Sequence, residues 1–133
     1  MLFRSLDTHS WVWWASDPEH LSQMARDAID RAAADKAVYI SSISAWEIAM
    51  LVAGKRLRLT MEVGDWVAKS EALPFVTFVP VSNSIAIKSV QLPGVLHHDP
   101  ADRIIIATAL AMGATLVTKD EKILKYRHVN ALW

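Results

Sequence analysis

The chain has 133 residues, which is room for one domain over residues 1–133 and not for two of ordinary size. Hydrophobic residues make up 53% of it, enough for a packed core and too many for a disordered chain. Its 14 basic and 14 acidic residues cancel, which excludes broad charge-driven coating of nucleic acid but allows a local basic patch, and the lack of cysteine excludes disulfides, thiolate metal sites and cysteine nucleophiles.

Taken in chain order, residues 2–6 (LFRSL) predict a short strand ending at Asp7, less apolar than a central parallel strand because of Arg4 and Ser5. Trp11 to Ala15 reads as a short helix. Glu19 to Asp35 reads as a longer one, with Leu21, Met24, Ala28 and Ile29 on one stripe. Val38-Tyr39-Ile40 is β-branched and aromatic, a strand. Ser44 to Ala53 is a helix ended by Gly54, and Val63 to Leu73 a helix stopped by Pro74. Phe75 to Val81 is strand-like, and Pro80 within it suits an edge. Ser84 to Gln91 is a helix stopped by Pro93-Gly94. Pro100 to Met112 is a helix closed by Gly113, followed by a strand at Ala114 to Val117, a short helix at Glu121 to Tyr126 and a last strand at Val129 to Leu132.

Strands and helices alternate through short loops, which predicts an α/β fold with a parallel sheet and helices on both faces. Right-handed crossovers then bring the C-terminal strand ends to one sheet edge. The N-terminus lacks the apolar stretch of a signal peptide, and the greasiest run, Ile104 to Val117, falls short of the roughly 18 residues a membrane helix needs. A soluble cytoplasmic protein without a membrane partner is the expectation.

Four acids fall at such positions: Asp7 in LDTH, Glu47 in SISAWE, Asp102 in DPADR and Asp120 in TLVTKD, with Asp99 a fifth. Each has a purely structural reading. Ser44 and Glu47 have capping-box spacing, which places Glu47 in a first helical turn. Asp99 suits an N-cap ahead of Pro100, with Asp102 in the first turn, and Asp120 and Asp7 can cap the helices that follow them. Together they mean more. A cap needs one acid per helix, and four carboxylates on one edge repel unless a cation is present. Clustered hard oxygen donors suit Mg²⁺ or Mn²⁺. Capping and metal binding are compatible.

The histidines carry less. His97 and His98 are expected to be solvent-facing loop residues, His9 a packing or hydrogen-bonding residue, and His128 a surface residue. Two basic groups, Lys55-Arg56 with Arg58 just after the Glu47 helix, and Lys119 with Lys122, Lys125 and Arg127 around and after Asp120, are expected to adjoin the site acids. They are either solvated charge or phosphate contacts, and Arg103 is either a phosphate contact or an ion-pair partner. Trp11, Trp13, Trp14 and Trp46 belong either to the core or to a partner surface. No Gly-x-Ser-x-Gly elbow, P-loop or Gly-x-Gly-x-x-Gly is present.

LDTHSWVWW, ISAWEIAMLVAGKRLRL, LPGVLHHDPADRIIIATALAMGATLVTKD and the terminal VNALW resemble PIN-domain nucleases of the VapC toxin type, nearly throughout the chain and in order. DPADRIIIATAL followed by LVTKD is the most specific part. The resemblance implies a three-layer α/β/α domain around a parallel sheet. It implies a Mg²⁺- or Mn²⁺-dependent endoribonuclease acting on single-stranded or looped RNA, commonly a homodimer, inhibited by a cognate antitoxin protein. The catalytic and metal-binding set it implies is Asp7, Glu47, Asp102 and Asp120, with Asp99 a commonly acidic neighbour and Thr118 a polar position that orients a ligand or water. On the same reading Lys55, Arg56, Arg58, Arg103, Lys119 and Lys122 are candidates for RNA contact. Two other classes compete. One is a catalytically silent PIN-like interaction module, against which the complete acid set speaks. The other is a receiver-like phosphoacceptor domain, which wants an acidic pair after the first strand where LDTH supplies one acid.

Overall fold

A computed structural model describes residues 2–133. Five parallel strands form its sheet: β1 (Arg4–Leu6), β2 (Val38–Ser41), β3 (Val76–Val79), β4 (Thr115–Val117) and β5 (Ala131–Leu132), in the order β3-β2-β1-β4-β5. Among the described residues seven α-helices accompany them: α1 (Thr8–Ser16), α2 (Gln23–Ala34), α3 (Ser42–Ala53), α4 (Val63–Glu71), α5 (Asn83–Val90), α6 (Pro100–Ala111) and α7 (Glu121–Leu124). This is the expected α/β architecture, with β3 at an edge as Pro80 suggested. None of these helices is long and apolar enough to cross a membrane.

The strand order determines where a site can form. The chain runs outward from β1 through β2 to β3, then returns across the sheet to add β4 on the other side of β1. Between β1 and β4 the connections diverge, leaving the crevice where α/β folds bind ligands. Asp7 follows β1, and Thr118 to Asp120 follow β4, so both walls of that crevice carry acids. Helix α3 leaves β2 at the same edge. Helix α6 runs back toward β4, so its N-terminus sits at that edge too.

The helix α6 is anchored by its apolar run. Ala101, Ile105, Ile106, Ala107, Thr108 and Ala109 are buried, which is why this segment reads as greasy nearly all round. Burying each of Ile105 and Ile106 contributes about 1.5–3 kcal/mol. Gly113, at φ +62°, makes the left-handed turn from α6 into β4 that an L side chain resists.

Several boundaries differ from expectation. Leu2 lies outside β1 and is exposed. Asp7 caps α1 through a bond from the Ser10 amide, so that helix begins well before Trp11. The long second helix is broken: Pro18–His20 forms a 3₁₀ turn, Leu21 is extended, and Ser22 caps a fresh start at Gln23. The buried face of α2 is consequently Ala25, Ile29 and Ala32, with Met24 exposed. The capping box at Ser44 and Glu47 does not exist. Ser41 caps α3 by accepting from the Ile43 amide, and Glu47 falls in the second turn. Gly54 is the C-cap of α3, but the left-handed residue is Lys55, at φ 57°.

The tryptophans divide between core and surface. Trp11 is 1% exposed, with its ring centroid 4.9 Å from Trp66 and 5.2 Å from Phe78, while Trp46 is 54% exposed.

Replacing Ile106 with alanine removes a fully buried side chain from the helix that holds Asp102. Urea unfolding should show a loss of about 2–5 kcal/mol. A loss below about 1 kcal/mol would contradict this anchoring.

Candidate active site

At the C-terminal sheet edge a cleft of about 560 Å³ is lined by Asp7, Glu47, Asp99, Asp102 and Asp120, together with Thr8, His9, Trp13, Ile105 and Lys119. All five candidate acids thus face one space. Their local settings differ. Asp7, Asp99 and Asp120 are N-caps of α1, α6 and α7, and Asp102 sits in the first turn of α6. Only Glu47 reaches in from mid-helix. Capping amides and the positive ends of helix dipoles hold these carboxylates where they would otherwise repel one another.

Hydroxyl groups complete the support. Asp7 Oδ1 accepts from the Ser10 amide at 2.9 Å, and its Oδ2 accepts from Thr118 Oγ1 at 2.6 Å. Thr118 Oγ1 in turn accepts from the Asp120 amide at 3.1 Å. Thr118, fully buried, therefore links the acids of the two crevice walls. Thr8 Oγ1 donates to Glu47 Oε1 at 2.5 Å and lies 2.9 Å from Ser44 Oγ. The sequence reading did not single out Thr8 or Ser44 for this role. The available signal was the threonine directly after Asp7 in LDTH.

Negative charge accumulates here. Among the described residues, the site acids make no ion pair with lysine or arginine, and the one pairing within 4 Å is His97 Nε2 with Asp102 Oδ2 at 3.4 Å. Burial first, then the neighbouring Asp99, Glu47, Asp120 and Asp7 carboxylates, pushes the Asp102 carboxyl up from 3.8 to about 7. Burial also raises Asp7, against the lowering effect of the bonds from Thr118 and Ser10. Ligand atoms of His97, Asp102 and Asp120 lie within 4.8 Å of one another. This donor set, dominated by carboxylate oxygen, fits a hard divalent cation such as Mg²⁺ or Mn²⁺.

The basic candidates separate. Lys119 is on the cleft wall, 5.8 Å from the centroid of Trp13. Lys122 is exposed on α7, where its amide donates to Asp120 Oδ1 at 2.8 Å. Lys55, Arg56 and Arg58 line a different depression with Leu57, Leu59 and Met61, contrary to the expectation that they adjoin the acids. Lys55 lies just past the Gly54 C-cap of α3, roughly two turns and about 12 Å along the axis from Glu47. Arg103 is a second correction. Its Nε donates to Ser89 O at 2.8 Å and its Nη1 to His97 O at 3.2 Å, so it ties down the loop before α6 and does not line the cleft. One position beyond Asp102, it projects from a different helix face. His97 is a third. It is half-buried beside Asp102 and not solvent-facing, whereas His98 is exposed as expected.

A family model described as PIN domain matches residues 5–129. Ribonuclease VapC22 of Mycobacterium tuberculosis is 37% identical over 123 residues, covering 92% of this chain and 91% of that protein. Among solved structures, VapBC2 from Rickettsia felis bound to a DNA fragment from their promoter matches with TM-score 0.70 at 18% identity, covering 99% of each chain. A toxin–antitoxin complex from Klebsiella pneumoniae matches with TM-score 0.63 at 21% identity, covering 98% of this chain and 96% of that one. At such identities the structural likenesses establish the fold alone.

The raised Asp102 carboxyl has two measurable consequences. In the cation-free protein it keeps its proton up to about pH 7, whereas the unfolded chain loses it near 3.8, so stability falls as pH rises between those values. A cation must displace that proton, so Mn²⁺ affinity should rise about tenfold from pH 6 to pH 8, read by calorimetric titration. A flat profile would contradict the coupling. For the same reason Asp102→Asn should raise the melting temperature of the cation-free protein by about 2–4 °C, and a fall in melting temperature would show that the carboxylates are not in conflict.

Proposed function

The chain belongs to the PIN-domain family, and from that premise we propose that it is a Mg²⁺- or Mn²⁺-dependent endoribonuclease, the toxin of a toxin–antitoxin pair. The observation that carries this reading is the convergence of Asp7, Glu47, Asp102 and Asp120 on one cleft without a lysine or arginine partner. A silent interaction module has no use for such charge, and neutral caps would serve its helices as well. The cluster is therefore an argument for catalysis over the binding-module alternative.

In this mechanism Asp7, Glu47, Asp102 and Asp120 hold the cation, with Asp99 beside them at the mouth. When bound, the ion supplies positive charge for the phosphate and makes a water more acidic. The rest is done by the chain. Ser10 and Thr118 fix both oxygens of Asp7, and Thr8 fixes Glu47, so the carboxylates are oriented before substrate arrives. The cation would displace the Asp102 proton and leave its carboxylate as a ligand, and one carboxylate of the cluster would accept the proton of the attacking water. Lys119 brings positive charge to the cleft wall for the backbone phosphates. Unpaired bases suit the rings of His9 and Trp13 on the same wall, which favours single-stranded or looped RNA.

The rest of the proposal extends from the relatives. A VapC protein is named a ribonuclease, and the Klebsiella neighbour is a toxin–antitoxin complex, which supports a cognate antitoxin as partner. The chain acts as a single PIN unit and pairs with a second copy. Exposed Ile87 and Val90 on α5 supply apolar surface for such pairing. Its RNA substrate would place its action in the cytoplasm.

Purified protein should cleave pooled RNA in Mg²⁺, stop in EDTA and resume when Mg²⁺ is restored. Asp7→Asn keeps a good helix cap, so circular dichroism should be unchanged while cleavage falls on the order of 100-fold or more. Cleavage at the parent rate by that variant would remove Asp7 from the mechanism.

A further inference from the structure

His97 lies in the loop before α6, where its ring Nδ1 and its carbonyl are both engaged. Its Nδ1 accepts from the Asp99 amide at 3.3 Å. That leaves the ring proton of the neutral imidazole on Nε2. Nε2 is inaccessible to solvent and makes no hydrogen bond, and it sits 3.4 Å from Asp102 Oδ2. The backbone is held just as firmly. Arg103 donates to the carbonyls of Ser89, Leu96 and His97, and the Tyr126 hydroxyl donates to the Pro93 carbonyl. A loop fastened at the Pro93, Leu96 and His97 carbonyls, and tied through Arg103 to Ser89 of α5, thus places one buried ring nitrogen beside one carboxylate oxygen.

We propose that His97 is a positioning residue for the metal centre: its Nε2–H holds Asp102 Oδ2 and leaves Oδ1 directed to the cation. The inference rests on the metal-nuclease reading of the acid cluster. It assigns His97 a supporting contact and not direct ligation, because the Nδ1 lone pair is engaged by Asp99 and Nε2 carries the proton. Arg103 acts one step further out, as the tether of the loop. A histidine that orients a ligating carboxylate narrows the range of carboxylate rotamers the ion must select, and removal of such a partner typically weakens metal affinity about 10–100-fold.

The test uses Mn²⁺ alone, with affinity and coordination read by electron paramagnetic resonance and folding by thermal melting. His97→Leu should weaken Mn²⁺ binding about 10–100-fold while the cation-free melting temperature stays near the parent value. His97→Gln, which restores an N–H donor, should recover most of that loss. Unchanged Mn²⁺ affinity in His97→Leu would overturn the proposal. So would a directly bonded nitrogen in the pulsed spectrum of the parent, which would make His97 a ligand. If the parent binds Mn²⁺ with this dependence on His97 yet leaves RNA intact, the nuclease reading fails and the positioning role stands. If the parent cleaves RNA and His97→Leu binds Mn²⁺ normally, the reverse holds.

Discussion

Repulsion among carboxylates is the constraint on which the rest of this structure depends. Five acids face one cleft at the end of a parallel sheet, and burial sharpens their conflict enough to keep Asp102 protonated to about neutral pH. Such an arrangement forms only if something else holds each carboxylate in place. Here helix N-termini do much of it, since three of the acids are caps and a fourth lies in a first turn. Buried hydroxyls do the rest, with Thr118 bracing Asp7 and Thr8 bracing Glu47. The fold supplies the anchoring, through the apolar body of α6 packed against the sheet.

The strand order explains why these residues meet. A chain that builds outward from β1 and then returns to its other side leaves diverging connections at the β1–β4 boundary. Asp7 and Asp120 are placed there by being the residues that end their loops and begin the next helices. Glu47 and Asp102 arrive from helices on either side of β1. Capping and chemistry are therefore the same local event seen at two scales, and DPADR shows both. Asp99 starts the helix, and the helix places Asp102 in the cleft.

Much of this was legible in the chain itself. Alternating periodicity gave the parallel α/β architecture, and Asp-Pro before a long apolar run marked the start of α6 correctly. What failed has physical reasons. Ser44 and Glu47 show capping-box spacing, but Ser41 was an earlier and equally good cap, and the sheet ends there, so the helix begins sooner. Ser22 caps a fresh start at Gln23, and Pro18 opens a separate 3₁₀ turn ahead of it, so the alanine-rich run from Glu19 is not one continuous helix. Charge proximity in sequence misled for Lys55, Arg56 and Arg58, because a helix carries residues away from each other along its axis as readily as it gathers them. Arg103 and His97 were misjudged because their partners are backbone carbonyls and a carboxylate that only the folded loop brings near. Thr8 and Ser44 were missed since a hydroxyl has no distinctive pattern until its neighbour across the fold is known.

The central claim is that the acid cluster exists to hold a divalent cation. The direct measurement is a crystal structure of this protein grown with Mn²⁺, with the ion located by its anomalous scattering. The account predicts a peak within coordination distance, about 2.0–2.3 Å, of carboxylate oxygens from Asp7, Asp102 and Asp120, with Glu47 bonded directly or through water. An ordered cluster with no peak at saturating Mn²⁺, or a peak confined to other residues, would contradict it.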